Sequence, residues 1–558
     1  MEILRLLQSL VYSTGRLCLV AAIGGILAHN LYFRLGYHDT EGLGIITIHA
    51  AVYAGLATFC ALDTGFKSGI RIASIAFSSY LVALFTSIII YRLFFHRLRN
   101  FPGPFAAKIT RFHGLYLARN GQLHIEQNKL FAKYGDIVRI APNELLILRS
   151  DGIQKIHGVK SGCRKRNAGI YDFIHYQGAQ NLDSILDREE HRPRRMIWER
   201  AFTAKAIATY EAKTRQVCHS WITKLKSLNC TPINSSLFAE LITFDNMGKI
   251  GFSYDFNSIK AGVEHRMLQL LKCMFGQMGE LGELVWPIAI MEGLGLRGDA
   301  PEFEEMTKVI ADRRERSGNQ DRTDILKHFL EDLHSPNPTA FFNRKIFYAD
   351  AAVILVGATD TVAVAVSFAL YHLANNPDHQ THLFSLVSPL FSKTIPQEFA
   401  NADLAKLDFL EAFINETLRL DNPVSNNAAR LTPPEGIIID NDTYIPGGTA
   451  VRVPGYGMQR SKKAFIEPDR FIPERWTTRP DLILDRAAWF PFLAGPNNCV
   501  GKRLGQQVLR LVVAYTVYYF RVEFAPGEDG TAIYAQARNN MILKPGPCML
   551  VFRERDRK

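Results

Sequence analysis

The chain has 558 residues, 47% of them apolar and 21% charged, a globular balance that excludes a disordered or low-complexity protein. Its net charge of +11 at pH 7 and pI near 9.1 favour nucleic acid, an anionic membrane or an acidic protein partner, but no nucleic-acid motif accompanies them. Eight cysteines are scattered with no Cys-x-x-Cys pair and no disulfide framework, which excludes a zinc module and fits a reducing compartment. The basic clusters Arg192/Arg194/Arg195 and Arg313/Arg314/Arg316 read most simply as solvated faces.

Residues 1–100 read as a membrane anchor region with one to three transmembrane helices, at about 17–33, 43–62 and 72–95, since a span needs about 20 mostly apolar residues. The third is the strongest and ends in Tyr91, Arg92, Phe94, Phe95, His96, Arg97 and Arg99. That aromatic and basic edge is cytoplasmic by the positive-inside rule, which puts the N-terminus in the lumen for one span or three. No short apolar core with a small-residue cleavage site stands at the start, so an anchor is expected rather than a cleaved signal. Phe101-Pro102-Gly103-Pro104 then stops the helix and sets a stiff, extended exit. The domain boundary belongs here, with 101–558 as the main domain.

The body reads as mainly helical with short strands. Ile137–Ile140 and Leu145–Leu148 flank Ala141-Pro142-Asn143-Glu144 as a hairpin. Residues 194–226, 300–316, 345–374 and 405–420 read as helices, and Gly447-Gly448 and Pro454-Gly455 mark turns. His191 and Arg195 share a helix face at i, i+4. Gly293-Leu-Gly295-Leu-Arg-Gly298 satisfies the dinucleotide fingerprint, but Pro287 interrupts the run before it and no βαβ context follows; Asp299 and Pro301 look like an ordinary helix cap and first turn.

Three later segments carry chemistry. A long apolar helix holds Gly357-Ala358-Thr359-Asp360-Thr361. Its small residues let a ligand approach, and its hydroxyls can both donate and accept a proton. Glu416 and Arg419 are paired at i, i+3 on one helix, and Phe471-Ile-Pro473-Glu474-Arg475-Trp476 follows. Last comes Phe492-Leu-Ala-Gly495-Pro496-Asn497-Asn498-Cys499-Val500-Gly501. Its cysteine precedes a helix N-terminus, a setting that stabilises a thiolate, and its glycines let backbone turn sharply beside something flat and large.

This loop resembles the haem-binding loop of the cytochromes P-450, Phe-x-x-Gly-x-Arg-x-Cys-x-Gly, and the other segments match that family's motifs in order. The chain most resembles the microsomal type, in particular filamentous-fungal secondary-metabolism monooxygenases. The resemblance implies a mainly α fold with small β-sheets, the cytochrome P-450 fold, behind N-terminal transmembrane helices. It implies haem b with Cys499 as axial thiolate ligand, and Phe492 and Gly501 beside it. His191, Arg195 and Arg430 would bind the haem propionates. Thr361 would steady bound oxygen species, and Asp360 would help feed protons. Glu416, Arg419 and Arg475 would hold the cysteine loop as a buried network. One position departs: where the family has Arg, this chain has Asn497, so weaker haem binding is expected.

The implied activity is a haem-thiolate monooxygenase that inserts one oxygen atom of O2 into a lipophilic substrate, a tailoring hydroxylation or oxidation in secondary-metabolite biosynthesis. Electrons would come from NADPH through a membrane-bound NADPH–cytochrome reductase, with cytochrome b5 as a further donor. The protein is expected at the endoplasmic reticulum membrane with a cytosolic catalytic domain, and without nucleic acid. Two rival readings are a P-450-fold isomerase or dehydratase that needs no external O2, which Asp360-Thr361 argues against, and a non-catalytic haem binder. A membrane transporter is excluded by the long body. Phe173, Phe275 and Met278 are candidates for a pocket wall, with core packing the plainer use; substrate identity is not encoded in any motif.

Overall fold

The computed structural model describes residues 13–166, 170–298, 300–318, 323–391 and 398–556; Asp299 lies outside them. The helices and strands that build the site are labelled here in chain order.

Three N-terminal helices, α1 (Thr14–Ala28, continued by a wider turn through Phe33), α2 (Gly42–Thr64) and α3 (Phe66–Ile90, continued through Phe95), are long and apolar enough to cross a membrane. Small residues let them pack closely: a Cβ on Gly25 would fall 2.3 Å from the Tyr80 carbonyl oxygen, and one on Gly69 2.4 Å from Ala61 Cα. The third helix begins at Phe66, six residues before the hydropathy edge, because Lys67 and Arg71 extend it as a polar first turn. The Pro102–Pro104 exit adds to the sheet edge, where Arg139 N–H donates to Pro102 O at 2.7 Å. Gly103 is required there, since a Cβ would lie 2.2 Å from Arg139 O.

Strands β1 (Ile137–Ala141) and β2 (Glu144–Ile147) form the expected antiparallel hairpin. With β3 (Arg164–Lys165), β4 (Arg430–Leu431) and β5 (Ala450–Arg452) they make a five-stranded sheet of order β1-β2-β5-β4-β3. β4 thus sets Arg430 beside Lys165, its registered partner on β3.

The stretch read as one helix over 194–226 is two, α4 (Arg188–Ala201) and α5 (Ala204–Ser227). They break at Thr203, whose hydroxyl accepts from Ala206 N–H as an N-cap. Then come α6 (Ser235–Phe252), α7 (Arg266–Leu281), α8 (Trp286–Gly293) and α9 (Arg344–Asn375). α10 (Asp408–Leu420) and α11 (Lys502–Tyr519) complete the frame. Pro454-Gly455 opens the short helix Gly455–Gln459 rather than a simple turn. α9 is as apolar as the membrane helices, yet 67% of its apolar window is buried, against 6–17% for those three. It is the central helix of the main core, against α6 and α11.

The reading of the two basic clusters as solvated faces holds for Arg192, Arg313 and Arg316, which are exposed, and is corrected at one arginine in each. Arg194 is fully buried, with its guanidinium 3.1 Å from Asp350 and 2.8 Å from Glu190. Arg314 is buried against Asp324 at 2.5 Å. Each belongs to an amphipathic helix whose inward face met a carboxylate on another element, a pairing that a charge run does not reveal.

Candidate active site

A cavity of about 540 Å³ runs through the body. Cys499 and Gly501 line it, as do Gly357, Ala358 and Thr361 of α9, and His191, Arg195 and Arg430. The expected cofactor-binding residues and Thr361 all line this one cavity, and Asp360 does not.

The cysteine loop is fixed from several sides. Gly495 has φ +67°, and a Cβ there would lie 1.9 Å from His157 O, so only glycine fits. Cys499 N–H donates to Phe492 O at 2.9 Å. Arg195 donates to the loop twice, to Asn498 O at 2.8 Å and Asn498 Oδ1 at 2.9 Å, and pairs with Glu199. Cys499 is an exposed residue that lines the cavity. Enclosure pushes the thiol up from its ordinary value, against the Gly501 and Lys502 backbone N–H groups and Arg195, which pull it down. The helix N-terminus therefore acts as expected but is outweighed by burial, and a bound metal would be needed to hold the thiolate.

Beneath the loop sits the predicted network. Arg419 makes a bidentate pair with Glu416, Nε to Oε2 and Nη2 to Oε1, each at 2.9 Å. Arg475 Nε and Ile472 N–H donate to Glu416 Oε1 at 2.9 Å, and Trp476 Nε1 donates to Oε2 at 3.0 Å. Glu416, Arg419 and Arg475 have no solvent exposure.

Thr361 faces the cavity, and its hydroxyl donates to Gly357 O at 2.6 Å. Asp360 is fully buried on another face of α9 and is ion-paired with Lys544, which lies 3.6 Å from Glu240. Consecutive helical residues are turned by about 100°, which here aims Thr361 at the cavity and Asp360 at Lys544.

The residues fit a flat dianionic macrocycle. A Cβ on Gly357 would meet nothing within 4 Å, and one on Gly501 would stand 3.8 Å from Cys499 Sγ, so both glycines leave a cradle that side chains would fill. The cradle's polar edge carries Lys165, His191, Arg195 and Arg430, faced by one carboxylate, Asp183. Burial, then Lys165, Arg195, Arg194 and Arg430, hold His191 down at about 4. Burial draws the Lys165 ammonium down to about 8, while its Nζ donates to Asp183 O at 2.5 Å. Basic side chains grouped on one edge of a cavity suit an anion. Arg430 donates to Tyr171 OH at 2.8 Å, and His157 Nε2 and both polar atoms of Asn426 are buried at the cavity with no partner among the described residues.

Lys165, Tyr171 and His157 were missed in the sequence, where they lie in a stretch with no motif; the one signal, a lone basic residue amid short strands, is too common to select. Asn497 and Phe492 line the cavity as expected. Phe275 and Met278 of α7 also line it, whereas Phe173 does not; its neighbours Tyr171 and Ile174 do.

Comparison with known proteins agrees with this geometry. The family model described as Cytochrome P450 matches residues 102–552. A cytochrome P450 monooxygenase, FCK2, of Fusarium pseudograminearum is 32% identical, covering 95% of this chain and 96% of its own. A tryprostatin B 6-hydroxylase of Aspergillus fumigatus is 32% identical, covering 91% of each chain. Among solved structures, the haem domain of cytochrome P450DA superposes with a TM-score of 0.68 at 17% identity, over 82% of this chain and 98% of that one, a likeness of fold. With a cavity lined by the cysteine loop, a family model that matches residues 102–552 and relatives 32% identical over nearly their whole length, the chain belongs to the cytochrome P450 family.

Proposed function

We propose that this chain is a membrane-anchored haem-thiolate monooxygenase with Cys499 as the axial iron ligand, which inserts one oxygen atom of O2 into a lipophilic small molecule. The observation that carries the reading is a single cavity shared by the Cys499 thiol, the Gly357–Thr361 wall of α9 and a cationic edge. When bound, haem supplies dioxygen activation at a thiolate-ligated iron, driven by electrons delivered one at a time.

The chain's own residues do the rest. Lys165, Arg195 and Arg430, with His191 once protonated, take the two propionates by charge-assisted hydrogen bonds. Phe492 and Gly501 give the macrocycle an apolar and unobstructed seat. Thr361 is donor and acceptor at once, so it passes protons into the cavity from the helix groove opened at Gly357. Asp360 stands one position earlier and feeds that hydroxyl, with its carboxylate released from Lys544 for the transfer. Ile250, Met247, Phe275 and Val353 give the substrate an apolar wall, which selects lipophilic molecules.

A tailoring hydroxylation in secondary metabolism suits the relatives, one of which is named for hydroxylating tryprostatin B. An NADPH–cytochrome reductase is the electron donor that a basic protein of this family fits, with cytochrome b5 as a second. Residues 1–100 form the anchor and 101–558 the catalytic domain. The packed bundle α1–α3 supports three spans in the endoplasmic reticulum membrane, with Arg34, Arg92, Arg97 and Arg99 on the cytosolic side.

The test is the reduced carbon monoxide complex of the full chain. A thiolate-type, red-shifted Soret band is expected for the native protein and its loss for Cys499→Ser. An unaltered band in that variant would remove Cys499 from the site. NADPH-independent turnover would instead favour the isomerase reading.

A further inference from the structure

The cavity extends well beyond the haem seat. At its far end it is lined by Arg111, Arg166, Arg452, Glu283 and, from the membrane anchor, Asp39. Asp39 lies in the turn between α1 and α2, more than sixty residues before the body begins. It pairs with Arg166 at 2.8 Å and keeps 18% side-chain exposure.

These side chains form one ion cluster. Glu144 is its fully buried centre: Arg452 lies at 2.5 Å, Arg111 at 3.1 Å and Arg166 at 3.4 Å. Arg452 also pairs with Glu283 at 2.7 Å. Burial pushes the Glu144 carboxyl up, but Arg452, Arg111 and Arg166 outweigh it and hold it at about 2. Among the described residues, the cluster joins Arg111, Arg166 and Arg452 to Glu144 and Glu283 of the body and to Asp39 of the N-terminal turn.

The turn is docked by more than charge. Tyr37 OH donates to Gly448 O at 3.0 Å and accepts from Asn143 Nδ2 at 2.5 Å, and the Arg166 guanidinium stacks over its ring at 4.8 Å. α2 rests on α8 through two glycines. A Cβ on Gly42 would sit 3.3 Å from Ile290 Cγ1, and one on Gly293 2.8 Å from Leu43 Cδ2. The first glycine of the false dinucleotide fingerprint is therefore a packing site for the membrane hairpin. Around this corner Leu35, Phe94, Phe105, Phe112, Leu294 and Leu296 expose 55–68% of their area, which places the lipid surface here.

We propose that the turn at residues 34–41 is the gate of the active-site cavity toward the lipid. Asp39 is its positioning residue, completing the ion cluster that closes the cavity's far end. The membrane hairpin thereby governs how fast a lipophilic molecule passes between bilayer and cavity. This rests on the haem-site reading of the same cavity.

The experiment uses the full-length, haem-loaded chain in phospholipid nanodiscs. The probe is clotrimazole, a lipophilic azole, and its entry is timed by the Soret shift on iron ligation. Asp39→Asn is expected to speed entry about fivefold, the population change for losing one partly buried ion pair, with the azole spectrum and thiolate carbon monoxide band unchanged. Asp39→Glu restores the native rate. Tyr37→Phe leaves the ion cluster intact and speeds entry by a smaller factor, about twofold. An entry rate in Asp39→Asn equal to or below the native one overturns the proposal. Should that variant lose haem, a native rate in Tyr37→Phe overturns it equally. A native chain with no thiolate band would overturn the haem-site reading, and the gate would fall with it; a native chain with the band but insensitive entry sinks the gate alone.

Discussion

The two sides of the cavity are built on opposite principles. Under the cysteine loop, both oxygens of Glu416 are saturated by Arg419, Arg475, Trp476 and the Ile472 N–H, and Glu416, Arg419 and Arg475 are fully buried. On the α9 side and around the cavity, Asp360 Oδ2, His157 Nε2 and both polar atoms of Asn426 are buried with no partners among the described residues. Unsatisfied buried groups are destabilising, so they persist where a ligand or water completes them. Stability is concentrated where the metal ligand must not move, and polar capacity is left open where molecules arrive and protons pass.

The sharpest way to break this contrast is to remove the centre of the saturated side. Glu416→Ala would leave Arg419 and Arg475 buried without their shared carboxylate, and loss of about 3–5 kcal/mol is expected for a broken buried pair. Denaturant unfolding of the holoprotein checks it, with haem release expected to coincide with the transition. A loss below about 1 kcal/mol, the value of an exposed pair, would mean the loop is held by other means. On the open side, Thr361→Ala should leave the melting temperature near native and lower coupled product formation on the order of 10²-fold, the usual worth of a positioned proton relay. NADPH consumption would continue, with reduced oxygen released in place of product, and Thr361→Ser should recover much of the coupling. Equal coupling in Thr361→Ala would assign the proton path to water alone.

The same contrast explains what could be read from the sequence. The saturated side was legible because its parts are local: Glu416 and Arg419 sit one helical turn apart, and Arg475 lies in a recognisable four-residue run. The α9 register was legible too, down to Gly357 and Thr361. The cationic edge was only half legible. His191 and Arg195 share a helix face, but Lys165 and Tyr171 reach the same place through β3 and the turn after it, and only the β3–β4 pairing brings Lys165 to Arg430. Arg194 shows the limit within a single helix: one residue from Arg195 it points inward to Asp350, a partner 156 positions away. Asp39 was beyond reach for the same reason, since an anchor that looks like lipid-soluble helices gave no hint that its turn enters the catalytic body's ion cluster.

Asn497 sharpens the comparison at the seam between the two sides. It lines the cavity beside a cationic edge that already holds Arg195, Arg430 and Lys165. Asn497→Arg would add a charge-assisted hydrogen bond to a propionate, but against neighbouring positive charge, so the lower end of the usual gain applies, about 1.5 kcal/mol. That predicts roughly tenfold slower haem transfer to an acceptor protein. An unchanged rate would show that the existing cations already saturate the propionates.

The smallest expected effect is a pH dependence at His191. Burial and the cations Lys165, Arg195, Arg194 and Arg430 lower its value from 6.5 to about 4 in the folded, haem-free chain. Between those values the unfolded chain binds the proton and the folded chain does not, so the unfolded state gains as pH falls. The haem-free protein should therefore lose stability progressively from pH 6.5 toward about 4. Haem should blunt this loss, because propionate carboxylates supply the negative charge that lets His191 take up its proton in the folded state. Thermal melting of both forms across that window checks it, with His191→Gln as control. If the two forms lose stability in parallel, or if His191→Gln leaves their difference unchanged, His191 does not face the propionates, and the anion site rests on Lys165, Arg195 and Arg430 alone.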